Sequence, residues 1–65
     1  MAQVKIIFKD RYKRVDVQNI AIKNGCKLIY AVDDEAIYEI ENPDAFISEL
    51  KMMEDLSSTI EIISM

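Results

Sequence analysis

The sequence has very few of the residues from which small proteins build cross-links. It has one cysteine and no histidine, which excludes an internal disulfide and every zinc site that uses histidine. A chain of this length buries only about 60% of the surface that it exposes when unfolded. Such domains usually need an additional staple. Oligomerisation is the source of stability that these absences leave open.

Glycine and long apolar runs are equally scarce. The single glycine, Gly25, excludes glycine-rich phosphate-binding loops. The longest apolar run is Leu28 to Val32, far short of the roughly 20 residues of a membrane span, and the first residues show no apolar signal region. We therefore expect one soluble domain over residues 1–65 that does not bind membranes. The lone thiol predicts a cytoplasmic location.

Charge is distributed unevenly along the chain, whose net charge is −4. Residues 1–28 carry seven basic side chains and two acidic ones, whereas residues 29–65 carry one basic side chain and ten acidic ones. Such asymmetry indicates two partner-facing poles, or pairing between the basic and acidic halves within one fold or across a dimer.

Alternation of apolar and polar residues predicts five strands. The joining segments are the polar Lys9–Arg14 tip, the Asn24-Gly25 hairpin signal and the acidic Asp33–Glu35 turn. The predicted strands are Gln3–Lys9, Val15–Ile22 with a bulge at Gln18-Asn19, Cys26–Val32, Ala36–Glu41 and Thr59–Ser64. The predicted fold is α+β, with two layers, a mostly antiparallel sheet of about five strands in the order ββββαβ, and one helix packed on one face.

Asn42-Pro43-Asp44 predicts the start of that helix, because asparagine caps helix N-termini and proline is favoured in the first turn. The helix is expected to run to about Asp55, with Phe46 and Leu50 in the stripe that packs on the sheet. A second stripe and an apolar open sheet face suggest self-association, in which methionine adapts to irregular contacts. The candidate self-association residues are Ile7, Ile29, Ile37, Ala45, Met52 and Leu56.

The densest group of acids lies between Val32 and Asp44. Its spacing fails the calcium-loop pattern, because position 5 counted from Asp33 is Ile37. Cys26 has no histidine that could serve as a general base. We therefore expect no metal, no cofactor and no enzymatic activity. A partner-binding acidic surface is the interpretation that remains for Asp33, Asp34, Glu35, Glu39 and Glu41.

The leading hypothesis is that this acidic surface binds a basic partner. In format, not in sequence, the chain resembles the small acidic inhibitors that phages and mobile elements carry, which implies an inhibitor or regulator of a nucleic-acid-handling protein. Two alternatives stay open. One is an accessory structural subunit or homodimer. The other is weak nucleic-acid binding through the basic tip, with Arg11, Tyr12, Lys13 and Arg14 as contacts.

Overall fold

The structure, a computed structural model, describes residues 1–65. Four strands form one antiparallel sheet, in the spatial order β2 (Lys27–Val32), β3 (Glu35–Ile40), β1 (Ala2–Phe8) and β4 (Ile60–Ser64). The element order is that of the ferredoxin-like split βαβ arrangement. In chain order the elements are β1 (Ala2–Phe8), a 3₁₀ turn (Arg11–Lys13), α1 (Arg14–Lys23), β2 (Lys27–Val32), β3 (Glu35–Ile40), α2 (Asp44–Met52), α3 (Glu54–Ser57) and β4 (Ile60–Ser64). The predicted α+β class with an antiparallel sheet is confirmed, whereas five strands and a single helix are wrong.

The predicted second strand is helix α1, and this one change removes the expected hairpin. Val17, Ile20 and Ala21 are its buried residues, spaced as one face of a helix requires. Asn24-Gly25 ends this helix, and Gly25 has a φ of +75°, the left-handed conformation that often follows a helix C-terminus. The Lys9–Arg14 segment is correspondingly a helix entry, in which Asp10 accepts a hydrogen bond from the Tyr12 amide.

The single predicted helix, which is expected to run to about Asp55, is two helices, because the backbone at Met53 is extended. Helix α2 begins at Asp44, and the Asn42 side chain accepts a hydrogen bond from the Asp44 amide at 3.0 Å. Phe46 and Leu50 are fully buried. The break at Met53 changes the direction of the chain, so the helical spacing counted from Asp44 does not extend to Leu56.

The core lies between the sheet and the helices and consists of side chains from one face of the sheet and the inner faces of α1, α2 and α3. Tyr38 is its largest member, packed edge-to-face against Phe46 with ring centroids 5.8 Å apart. The buried residues are Val4, Ile6, Phe8, Val17, Ile20, Ala21, Ala36, Tyr38, Ile40, Phe46, Leu50, Leu56 and Ile60. No residue of β2 is among them.

The first and last strands are neighbours, and the Met65 amide donates a hydrogen bond to the Gln3 carbonyl at 2.9 Å.

None of the helices combines the length and the apolar character that crossing a bilayer requires.

Candidate functional site

Strand β2 is the most unusual feature of the surface. It forms one edge of the sheet, yet its sequence from Leu28 to Val32 is entirely apolar. Strands of that composition are normally buried on both faces. Here Leu28, Ile29, Tyr30 and Val32 are 44%, 45%, 48% and 39% exposed. Its outer row of backbone N–H and C=O groups pairs with no strand in this fold, which makes β2 a template for another chain.

A bulge at Ile29 decides which way the side chains of β2 point. Leu28 pairs with Tyr38 and Ala31 pairs with Ala36, and both partners are buried beneath the helices. Leu28 and Ala31 therefore lie on the helix side of the sheet. Tyr30, paired with Ile37, lies on the open side. Strict alternation from Leu28 predicts Tyr30 on the helix side and Ala31 on the open side. Both predictions are wrong, because one extra residue reverses the alternation after it.

A groove runs between β2 and α1 on the helix side of the sheet. Leu28 and Ala31 form its strand wall, and Arg14, Val15, Gln18 and Asn19 form its helix wall. Val15 is 66% exposed although it is apolar. The groove thus joins exposed apolar side chains directly to the unpaired backbone of the edge strand, and we call this combination the β2 surface.

Two contacts hold the walls of the groove in place. The Arg14 guanidinium donates hydrogen bonds to the carbonyl oxygens of Val32 and Glu35, which ties the start of α1 to the β2–β3 turn. Deeper in, the Tyr38 hydroxyl donates to Oε1 of Gln18 at 2.6 Å. The β2 surface is therefore built on packed helix and strand, a rigid base that favours precise recognition.

The opposite edge of the sheet, β4, is protected in the way that natural edge strands usually are. It is five residues long and carries Glu61 at its second position, and charge on an edge strand discourages pairing with other chains. In β2 the only charged residue is Lys27, at its first position. Of the two edges, β2 is thus the one open to association.

The candidate acidic residues do not form one concentrated patch. Glu35 forms an ion pair with Lys5 at 2.9 Å, and Glu39 is directly opposite Lys27. Asp33 lines a shallow depression together with Arg11 and Arg14. Exposed Asp34 and Glu41 lie beyond the two ends of β3. Basic neighbours therefore offset much of the negative charge that a basic partner would meet.

The candidate nucleic-acid residues are divided between two environments. Tyr12 is 80% exposed, and the Arg11 guanidinium lies 5.9 Å from its ring. Arg14 is committed to contacts inside the chain, and Lys13 is half-buried in the 3₁₀ turn. These residues adjoin Asp33 rather than extending into a longer basic stripe.

The open face of the sheet gives little support for nucleic-acid binding. RNA-recognition domains with a four-stranded sheet stack bases on aromatic side chains of that face. On this open face, the two central strands carry Gln3, Lys5 and Ile7 on β1, which pair with Glu39, Ile37 and Glu35 on β3. Glu35 and Glu39 therefore occupy positions at which aromatic rings would be needed for base stacking.

The candidate self-association residues are scattered over the molecule. Leu56 is only 2% exposed and belongs to the core, so its assignment to an association surface is wrong. Ile7 and Ile37 are half-buried on the open sheet face, while Ala45 and Met52 are exposed on α2. Only Ile29 lies on the β2 surface. Sequence reasoning missed Val15, Leu28 and Ala31 there, although the signal existed, because Leu28 to Val32 is the longest apolar run.

Each titratable group with a shifted pKa has a structural cause. Hydrogen bonds from Lys23 and Asn24 lower the pKa of Glu49, and the bond with Glu35 raises that of Lys5. Burial raises the pKa values of Cys26 and Tyr38, which makes the thiol less nucleophilic. These shifts reflect packing and ion pairing, not a shared reaction centre.

Comparisons with models of protein families, with curated proteins and with solved structures find no match to this chain.

Proposed function

We propose that this chain is a non-catalytic protein-protein interaction module that binds an extended segment of a protein partner along β2. The observation that carries the proposal is the position of an entirely apolar strand at an unpaired sheet edge, with its side chains 39–48% exposed at four positions. Exposing these apolar side chains to water costs free energy, and a partner that covers the strand removes that cost.

Recognition would combine two kinds of contact. Backbone hydrogen bonds from the outer row of β2 would provide affinity for any extended chain. Side chains on alternate positions of the partner would enter the groove between Leu28, Ala31 and Val15, which selects apolar residues. Lys27 at one end of the strand favours an acidic residue in the partner segment.

The proposal that this module is an acidic inhibitor of a basic nucleic-acid-handling protein has less support. Its acids are spread from Asp33 to Glu41, and Lys5 and Lys27 lie beside two of them. Loss of a captured partner on raising the salt concentration, and in a Glu39→Lys/Glu41→Lys variant, would favour the acidic surface over β2.

Short extended peptides test the proposal, because the chain supplies its own control in the second sheet edge. The probes are synthetic eight-residue peptides rich in valine, isoleucine and threonine, compared with the same peptides carrying a central proline that cannot donate a hydrogen bond. Backbone amide shifts are followed by NMR in β2 (Lys27–Val32) and in β4 (Ile60–Ser64).

The expected result is saturable shifts and slowed amide exchange in β2 and the facing residues of α1, with β4 unchanged. Leu28→Lys, at a position that is 44% exposed, should abolish the effect without unfolding the chain. Binding at β4, at the open sheet face or equally by the proline peptides would overturn the proposal.

A further inference from the structure

We infer that the segment that covers β2 is β2 of a second copy of this chain, paired antiparallel about a two-fold axis at the Ile29-Tyr30 peptide. This inference rests on the proposed function and names the partner. The two identical β2 edges pair with each other, so that the two four-stranded sheets form one continuous eight-stranded sheet. The contact is isologous and closed, because both copies use the same surface.

The bulge makes β2 complementary to itself in this register. Lys27 lies opposite Val32 of the second copy, and both side chains are on the open face, where they pair with Glu39 and Glu35. Leu28 lies opposite Ala31 of the second copy, and both are on the helix side. In a regular six-residue strand, a two-fold axis at the central peptide would instead place each residue of the helix side opposite a residue of the open side. The extra residue at Ile29 is what matches them.

Charge at the two ends of β2 favours the same arrangement. Lys27 precedes the apolar run and Asp33-Asp34 follow it. Antiparallel pairing brings the Lys27 end of each copy to the acidic turn of the other. The chain turns back after Val32, and the Asp34 carbonyl accepts a hydrogen bond from the Phe8 amide on β1, so the acid nearest the seam is Asp33, the residue directly after Val32. Two symmetry-related attractions result.

Helix α1 extends the contact beyond the two strands. Val15 and Ile22 are 66% and 63% exposed, and their spacing of seven residues puts them on one side of the helix. The two-fold axis sets α1 antiparallel to its mate, so that Val15 of one copy faces the Ile22 end of the other across the seam. Leu28 and Ala31 lie beneath that seam and lose their exposure to water.

A charge-swap experiment tests the register. Lys27→Glu and Asp33→Lys are made separately and together, and the dimer dissociation constant is measured by sedimentation equilibrium at low salt. Both positions are exposed, and far-UV circular dichroism checks that each variant folds. Lys51→Glu on α2, also exposed, is the matched control because it changes the net charge as Lys27→Glu does.

We expect each single swap to raise the dissociation constant roughly five- to thirtyfold, because two equivalent pairs are lost. The double variant should return to within about twofold of the original value, and Lys51→Glu should change it little. A monomeric original chain at high micromolar concentration, or a double variant no tighter than the singles, would overturn the inference. If β2 nevertheless binds the extended peptides, only the second copy is excluded; if neither covers β2, the proposed function fails as well.

Discussion

The guanidinium carbon of Arg14 lies 4.8 Å from the centroid of the Phe8 ring. The same side chain donates hydrogen bonds to the backbone at Val32 and Glu35. One residue thus joins the end of β1, the start of α1 and the turn after β2. Its planar group can stack and donate in several directions at once, which a lysine ammonium cannot do.

Arg14→Ala should therefore lower the free energy of unfolding by about 1–3 kcal/mol, the sum expected for a partly buried cation-π contact and charged hydrogen bonds. Arg14→Lys should recover less than half of that loss. Urea denaturation gives both values. Arg11→Ala is the control, since Arg11 contacts only the exposed Tyr12 ring, and a change within about 0.5 kcal/mol is expected. Equal losses in the two alanine variants would contradict the assigned role.

Gly25→Ala should destabilise the chain by about 1 kcal/mol, because Gly25 has a φ of +75° that a β-carbon disfavours. Apart from Gly25 and its two chain neighbours, no atom lies within 4 Å of the position that this carbon would occupy, so the cost comes from the local backbone conformation and not from crowding by the rest of the fold. Gly25→Asn should lose less, since asparagine tolerates this region. Thermal unfolding of the original chain, Gly25→Ala and Gly25→Asn checks this order of stability. Steric crowding would not produce it, because asparagine is larger than alanine.

Acid should weaken the fold partly through Glu49. The Lys23 ammonium, 2.9 Å from Glu49 Oε2, and the Asn24 amide lower the pKa of this carboxyl. A pKa that is lower in the folded state contributes stability above the ordinary value of about 4.3, and that stability is lost as the pH falls through the folded pKa.

Glu49→Gln should therefore flatten the dependence of unfolding free energy on pH as the pH falls below about 4.3, and Lys23→Met should do the same in part. Lys51→Met is the control, since Lys51 forms no ion pair, and its profile should run parallel to that of the original chain. A Glu49→Gln profile as steep as the original would contradict the linkage.

Leu56 and Met52 should respond very differently to truncation, although their sequence positions suggested the same role. Leu56→Ala should cost about 2–5 kcal/mol, because the side chain is 2% exposed and truncation leaves a cavity. Met52→Ala should change stability by less than about 0.5 kcal/mol, since Met52 is 82% exposed. Denaturant midpoints of the two variants provide the test, and similar losses would place Leu56 outside the core.

The parts of the fold that sequence reasoning anticipated are those where local signals agree with burial. Val4, Ile6 and Phe8 alternate and are buried on one face of β1. The Asn42 side chain accepts a hydrogen bond from Asp44, the first residue of α2, and the Asn42-Pro43-Asp44 signal thus marks the start of the helix. In these segments the local preference and the tertiary packing favour the same structure.

The segment from Val15 to Ile22 shows where such reasoning fails. Its β-branched residues favour a strand, yet Val17, Ile20 and Ala21 are buried with helical spacing, so packing against the sheet overrides the local propensity. Asn24-Gly25 misleads for a related reason, since a tight hairpin and a helix C-terminus both need a residue with positive φ. Because the segment of α1 was predicted to be a strand, the groove between α1 and β2 was not predicted either.

The β2 surface itself could be predicted only in part. The apolar run from Leu28 to Val32 is visible in the sequence, but its place at the sheet edge depends on strand order. The bulge at Ile29 depends on pairing with β3. Neither is a local property, so the faces of Tyr30 and Ala31 could not be read from alternation alone.

The hydrogen bond between Met65 and Gln3 has a practical consequence for how this protein can be engineered. Residues 1 and 65 lie close enough for a short linker to join them, and the Asp33-Asp34 turn offers a site for new termini. A circularly permuted chain opened there would keep the sheet order while separating β2 from β3 in sequence. Fluorescent labels attached at residue 1 or residue 65 would lie two or three strands from β2, leaving that edge accessible in binding assays.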